Sequence, residues 1–306
     1  MSFDENCKGC QMQEMVPNER FNQRLREIKG LISAGFFSED DIVGKNVLDW
    51  ECGDGAFALA FRELGAKSVV GIDSWVNFSE EYVHQAKKRG VTLATKSISD
   101  IGDEEFDLVF CNTVTEHIQS LHESISAVSS VLGLGGVFFT NHDNYYHPAG
   151  SHDHGFVKVK GKGDVVFLAE DCWDQEEKCA ASNEHRVRLS KNRPFQWGER
   201  FERMLNPVDC TKCPYFIRAQ PWAHIAYQKD FSRVFPKTMR IGGSLNKLTP
   251  FQLRQILSEC GLRIEREART EVSLAPSATI LQADPSLSEA LLRTWMVKLS
   301  SRKVKV

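Results

Sequence analysis

Carboxylates set around two glycines form the chemistry-bearing feature of this 306-residue chain. They lie in Asn46-Val-Leu-Asp-Trp-Glu-Cys-Gly-Asp-Gly55, which is followed by Val69-Val-Gly-Ile-Asp73. A short apolar run ends in an acidic, glycine-rich turn, a helical segment follows, and a second apolar run ends in a lone carboxylate. In an α/β sheet this pattern opens a nucleoside-binding crevice at the carboxyl ends of parallel strands. Gly53 and Gly55 can take backbone angles closed to other residues and let a ligand approach the main chain. Asp73 stands where a carboxylate can accept hydrogen bonds from both hydroxyls of a ribose. Asp49 and Glu51 crowd the turn, where they would repel a phosphate and attract a cationic ligand with an ammonium group; Asp49 could equally cap the turn. Neither GxGxxG nor GxxxxGK[ST] occurs, so a pyrophosphate seated on a helix N-terminus is not expected.

Two further clusters could do chemistry. Asn141-His-Asp-Asn-Tyr-Tyr-His-Pro-Ala-Gly-Ser-His-Asp-His-Gly155 brings His142, His147, His152 and His154 together with Asp143 and Asp153. Histidine takes up a proton near neutral pH, and a neighbouring carboxylate can orient its ring. Tyr145 and Tyr146 can enclose a cation or hydrogen-bond a small substrate. His142, His147 and His152, with Tyr146, are therefore candidates for base or substrate-binding duty. A catalytic metal and a structural loop are the competing readings, and the spacing does not match HExxH. Cys7-x2-Cys10 and Cys210-x2-Cys213 could supply four thiolates to one structural zinc, pinning the N-terminus onto a distant segment or joining two chains of a homodimer. Ordinary buried thiols are the alternative, and nine cysteines, an odd number, argue against a disulfide framework.

The elements that must position these residues are legible from periodicity. Phe21, Leu25, Ile28 and Ile32 fall at helical spacing and predict a helix over 19–34, preceding the core. Strands are predicted at 46–50, 68–72, 92–96, 106–111 and 134–140, with helices at 56–64, 79–88 and 118–132 between them. Short links and alternating elements imply a doubly wound, mostly parallel sheet. Regularity breaks after residue 141 and resumes at 248. There Thr249, Pro250 and Gly261 suit the N-cap, first turn and C-cap of a helix. Strands at 262–268 and 295–299 follow. The domain reading is an N-terminal segment and helix over 1–43, a core over 44–141 plus 248–306, and an inserted lid or substrate-binding region over 142–247. Trp173, Trp197, Trp222, Tyr215, Phe216 and Tyr227 would give the insertion a small core or line a pocket.

Bulk properties bound the function. With 42% hydrophobic and 26% charged residues the chain is an ordinary globular one. A net charge of −3 supplies no overall drive toward nucleic acid. No apolar run approaches the ~20 residues that span a membrane, and the acidic, polar start does not read as a secretory signal. A cytoplasmic location is the default expectation.

The acidic glycine turn together with Asp73 resembles the first two motifs of the class I S-adenosylmethionine-dependent methyltransferases, the first of which reads roughly (D/E)xGxGxG. The resemblance covers about 44–141 and 248–300, and Glu51 departs from it by standing where many members have the first glycine. It implies a seven-stranded α/β core, with a large insertion here after the fifth strand. It also implies a site in which Asp49, Glu51, Gly53 and Gly55 line the methionine end of S-adenosylmethionine. Asp73, Ser74 and Trp75 would face ribose and adenine, Ser97 (or Asp100) and Ile98 the adenine, and Asn112 and Thr113 would lie beneath the sulfonium, followed by the pair Glu116-His117. The implied activity is methyl transfer to nitrogen, oxygen or sulfur of a small molecule. The alternatives are an RNA or protein acceptor, or a cofactor-binding regulatory protein without turnover.

Overall fold

The computed structural model describes residues 11–12, 18–148, 154–158, 165–169, 222, 225 and 245–305. Seven strands build the main sheet: β1 (Asn46–Trp50), β2 (Ser68–Asp73), β3 (Val91–Thr95), β4 (Phe106–Asn112), β5 (Leu132–Asp143), β6 (Leu262–Glu271) and β7 (Thr294–Lys303). Their order across the sheet is β6-β7-β5-β4-β1-β2-β3. The strands from β1 to β5 pair in parallel. Ser301 bonds the Phe138 carbonyl, while the Asn144 amide donates to Trp295, so β7 runs antiparallel to β5. The doubly wound sheet expected from the sequence is thus present.

The central strands are buried because they carry apolar side chains on both faces. Val47, Leu108, Phe110, Val137 and Phe139 point to the layer formed by α1 (Asn18–Ser33), α2 (Ala56–Glu63) and α3 (Glu80–Lys88). The Phe110 and Phe139 rings stack there at 5.1 Å. Trp50 and Phe138 alternate to the opposite face and meet at 6.3 Å. Among the described residues the other helices are α4 (Leu121–Val131), α5 (Pro250–Glu259), α6 (Ala278–Ala283) and α7 (Glu289–Arg293). Periodicity does not predict α6 and α7: each is under two turns long, in a stretch interrupted by Pro276 and Pro285. Among the described residues no helix is long and apolar enough to cross a membrane.

The chain divides into two compact units. One comprises Met1–His142, Pro250–Arg269 and Val297–Val306; the other comprises Asp143–Thr249 and Thr270–Met296. The second unit therefore takes residues 270–296 as well as the segment after β5. Its described part is held by a cluster of Trp222, Ile280, Leu287 and Leu292, against which Tyr146 packs. The fully buried Asn144 side chain donates to the carbonyls of Leu291 (2.9 Å) and Thr294 (2.7 Å), and the Trp222 indole donates to Leu292 (3.1 Å). Trp222 is a core residue, as expected for an aromatic of the insertion; Trp173, Trp197, Tyr215, Phe216 and Tyr227 lie outside the described residues.

Candidate functional site

The acidic turn leaves β1 through Glu51, whose φ of 56° lies in the left-handed region, as do Gly53 (55°) and Gly55 (72°). Glu51 thus holds, with a side chain, a conformation that favours glycine. For a residue with a side chain this conformation is strained by about 1–3 kcal/mol, and such strain in a turn over a sheet edge marks a candidate site. A Cβ placed on Gly53 would meet nothing within 4 Å, so the space above it is open to a ligand. At Gly71 the demand is different: a Cβ would stand 2.7 Å from Leu93 Cδ2 and 3.0 Å from Cys52 Sγ. The sheet can seat the turn closely over β2 only because that position lacks a side chain. Asp54 caps the Ala56 amide and pairs with Arg20 of α1 at 2.7 Å, and the Arg24 guanidinium lies over the Phe57 ring. The helix before the core thus flanks the turn.

Asp73, at the end of β2, ties the two loops together. Its Oδ2 accepts from the Gly53 amide (2.9 Å), and its Oδ1 accepts from the amides of Trp75 (2.8 Å) and Val76 (2.9 Å). Glu51 reaches the same place, where both of its oxygens accept from the Ser74 hydroxyl (2.9 and 3.0 Å) and Oε2 accepts from the Ser74 amide (3.2 Å). Burial, and then the Asp73 charge, push the Glu51 carboxyl up to about 7 against the lowering effect of the Ser74 hydrogen bonds. Asp49 is buried on the same side of the sheet as α2. Burial raises its carboxyl well above the usual range; the Ala58 amide opposes this, and the charges of Asp54 and Asp73 add to it. Both sequence alternatives for Asp49 therefore keep support: it caps the Ala58 amide, while Oδ2 has no hydrogen-bond partner among the described residues.

The other lip of the crevice is built by β4 and β5, where Asn112 pairs in register with Asn141. Thr113 has a positive φ of 59°, costly for a β-branched residue. Its amide donates to the Asn141 carbonyl (2.8 Å), and the Asn141 side-chain amide reaches Thr113 Oγ1 (3.1 Å) and Asn112 Oδ1 (3.4 Å). Asn141 Oδ1 is buried without a hydrogen-bond partner among the described residues. Asn141 is not among the candidates drawn from the sequence, although matching the last residues of two adjacent parallel strands would pair it with Asn112. Next along β5, His142 is buried with Nδ1 3.0 Å from the Thr115 hydroxyl, itself 3.3 Å from that of Thr140. Glu116 is also buried, with Oε1 3.8 Å from Nε2 of the half-exposed His117. On the adenine side, Ser97 donates to Asp100 (2.6 Å) and lies 2.7 Å from the Ser99 hydroxyl, so Ser97 and Asp100 bond each other; Ile98 is buried.

The remaining candidates fall in the second unit or outside the described residues. His147 is buried with its ring stacked on Trp295 at 5.5 Å. Tyr146 packs in the apolar cluster, where burial, and then Asp284, push its phenol up, so that it keeps its proton and can act as a donor. His152, Cys7, Cys10, Cys210 and Cys213 lie outside the described residues, so the structure gives no placement for the expected zinc. Among the described residues no group of three or more His, Cys, Asp or Glu could hold a metal ion. Cys52 and Cys111 are buried free thiols, and burial raises both of them.

Known proteins resemble this chain in sequence and in fold. A family described as Methyltransferase domain matches residues 21–234. The ribosomal protein L11 methyltransferase of Histophilus somni (strain 2336) is 32% identical over 113 residues, 34% of this chain and 37% of that protein. A tRNA U34 carboxymethyltransferase of Campylobacter hominis is 31% identical over 104 residues, 32% and 36% of the two chains. This chain thus spans about a third of the length of these curated relatives. Among solved structures, an S-adenosylmethionine-dependent methyltransferase from Mesorhizobium loti aligns over 90% of this chain and 97% of its own, with TM-score 0.47 and 16% identity. The magnesium protoporphyrin IX methyltransferase of Synechocystis PCC 6803 aligns over 95% and 90%, with TM-score 0.45 and 14% identity. The family match covers more than half of the chain, and the chain belongs to the methyltransferase-domain family.

Proposed function

We propose that this protein transfers the methyl group of S-adenosylmethionine to a nitrogen, oxygen or sulfur atom of a small molecule. The observation that carries the placing of the donor is Asp73, whose carboxylate clasps the Gly53 amide across an open turn lined by Asp49 and Glu51. When bound, the cofactor supplies an electrophilic methyl carbon on a positively charged sulfonium. The chain's residues fit such a group. The buried Asp49 Oδ2 lacks a partner among the described residues, and burial and then the neighbouring carboxylates raise Asp49 and Glu51, so a cation would offset the cost of their ionised forms. On this reading Asp49, Gly53 and Gly55 hold the methionine end, and Asp73 with Ser74 holds the ribose. Ser97 and Ile98 flank the adenine, while Asn112 and Thr113 lie under the sulfonium.

Methyl transfer requires alignment of donor and acceptor and exclusion of water more than it requires acid-base work. An amine, hydroxyl or thiol acceptor also sheds a proton. His142 is our choice for receiving it, because Thr115 fixes its ring; if Thr115 accepts from Nδ1–H, Nε2 holds the lone pair. The net charge of −3 favours a small acceptor over a nucleic acid. A macromolecular acceptor is the second reading, favoured by the names of the relatives that match a third of the chain. Incubating the purified chain with S-adenosylmethionine and either metabolite fractions or ribosomal protein and tRNA separates the two. The proposal expects S-adenosylhomocysteine to form with the metabolites, and formation with the macromolecules alone would reject a small acceptor.

A further inference from the structure

Glu51 combines three features that its expected role at the methionine end does not explain. It sits at φ 56°, in a position the family motif gives to glycine, and so retains a side chain where the backbone disfavours one. Its carboxylate is turned to Ser74, at the end of β2, beside Asp73. It is also half-buried rather than enclosed, so a ligand can reach it. We propose that Glu51 accepts one of the two ribose hydroxyls of the cofactor, Asp73 accepting the other. This deepens the reading of the turn as the cofactor site and rests on it.

Asp73 alone has too few open acceptor positions for a diol. An ionised carboxylate offers about four lone-pair positions. On Asp73, Oδ1 already accepts two backbone amides and Oδ2 accepts one, which leaves room for a single further donor. A ribose presents two hydroxyl donors. Glu51 receives three donor protons, the Ser74 hydroxyl shared between its oxygens, the Ser74 amide and one from the Trp50 side chain, so about one of its own positions remains, enough for the second hydroxyl. Burial and then the Asp73 charge raise the Glu51 carboxyl, the latter in keeping with two groups close enough to serve one diol. Ser74 holds the Glu51 carboxylate in place before any ligand arrives, which spares the ordering of a long side chain on binding.

Titration calorimetry at pH 8 with S-adenosylhomocysteine and its 2′-deoxy and 3′-deoxy analogues tests this on the wild-type chain, Glu51→Gly and Glu51→Gln. Each analogue should bind the wild type roughly tenfold to a hundredfold more weakly than the parent, as loss of a hydrogen bond to a charged group implies. In Glu51→Gly one of the two penalties should fall to within about twofold of unity while the other persists. Glu51→Gln, which keeps the side chain and a neutral acceptor oxygen, should give an intermediate penalty for that same analogue. Both penalties kept in full, or both lost, would overturn the assignment. If the wild type does not bind S-adenosylhomocysteine at all, it is the placing of the cofactor that fails.

Discussion

Replacing Glu51 with glutamine should remove a pH dependence of stability that the free wild-type chain carries. Burial and the Asp73 charge raise the Glu51 carboxyl from 4.5 to about 7 in the folded chain. Between those values the folded state holds a proton that the unfolded state has shed. The native state binds more protons there, so stability is greatest below about pH 4.5, falls as pH rises through the window and levels off above about 8. At about 1.4 kcal/mol per pH unit the full shift corresponds to about 3 kcal/mol. Water reaches this half-buried carboxylate, and we take about 2 kcal/mol as the expected drop. Urea unfolding of wild type and Glu51→Gln at intervals from pH 5 to pH 8 should show the wild type losing that amount relative to the variant. A saturating cationic donor should reduce the drop, because a positive charge beside Glu51 favours its ionised form. Parallel stability curves without ligand would refute the reasoning, since they would mean that Asp73 and burial do not hold the proton on Glu51.

Three other changes test separate parts of the structure. Asp73→Ala removes the acceptor of the Gly53, Trp75 and Val76 amides. It should destabilise the chain by about 3 kcal/mol in urea unfolding and weaken S-adenosylhomocysteine binding by two orders of magnitude or more; near-native affinity would dismiss it as the ribose anchor. Gly71→Ala forces a methyl to within 2.7 Å of Leu93 and 3.0 Å of Cys52. A loss of about 1–3 kcal/mol should follow, with weaker cofactor binding because Cys52 belongs to the turn, and unchanged melting and affinity would contradict the close seating. His142→Ala should lower turnover by roughly a hundredfold or more while cofactor affinity changes little, whereas unaltered turnover would assign the ring to packing alone.

The core is legible because its signals are local. Phe106-Asp-Leu-Val-Phe-Cys111 is a continuous apolar run that only a strand buried on both faces satisfies, and β4 covers it. The 46–50 and 68–72 runs, each closing on carboxylates and glycine, likewise announce β1 and β2 and the crevice at their ends. What the sequence conceals depends on contacts between distant positions or on backbone angles that residue type does not announce. The role of Gly71 exists only because Leu93 and Cys52 converge on it. The Asn112–Thr113–Asn141 group requires both the register of β4 on β5 and a positive φ at a threonine, which propensity alone argues against.

Glu51 is the most instructive case, because the motif itself misdirects. The residue stands where many members of the family have the first glycine. In the structure the backbone keeps the shape of a glycine and the side chain does something else: it crosses to Ser74 and sets a second carboxylate beside Asp73. Local propensity conflicts with the fold at this position, and such conflicts concentrate at functional sites, where strain is offset by the rest of the structure. The same logic separates Glu51 from Asp49. Asp49 sits in unstrained strand, bonds the Ala58 amide and would be explained by structure alone were it not for the unpartnered oxygen. Glu51 accepts from the side chain of the buried Trp50, while its contacts to Ser74 join two loops that the Asp73–Gly53 bond already joins. The Ser74 contacts form a strained tie next to the proposed ribose anchor, and comparing Glu51→Gly with wild type separates a ligand role from a bracing one. Glycine should relieve the backbone and stabilise the free chain, while binding of S-adenosylhomocysteine weakens. A variant that was less stable yet bound the cofactor normally would make the carboxylate a structural brace.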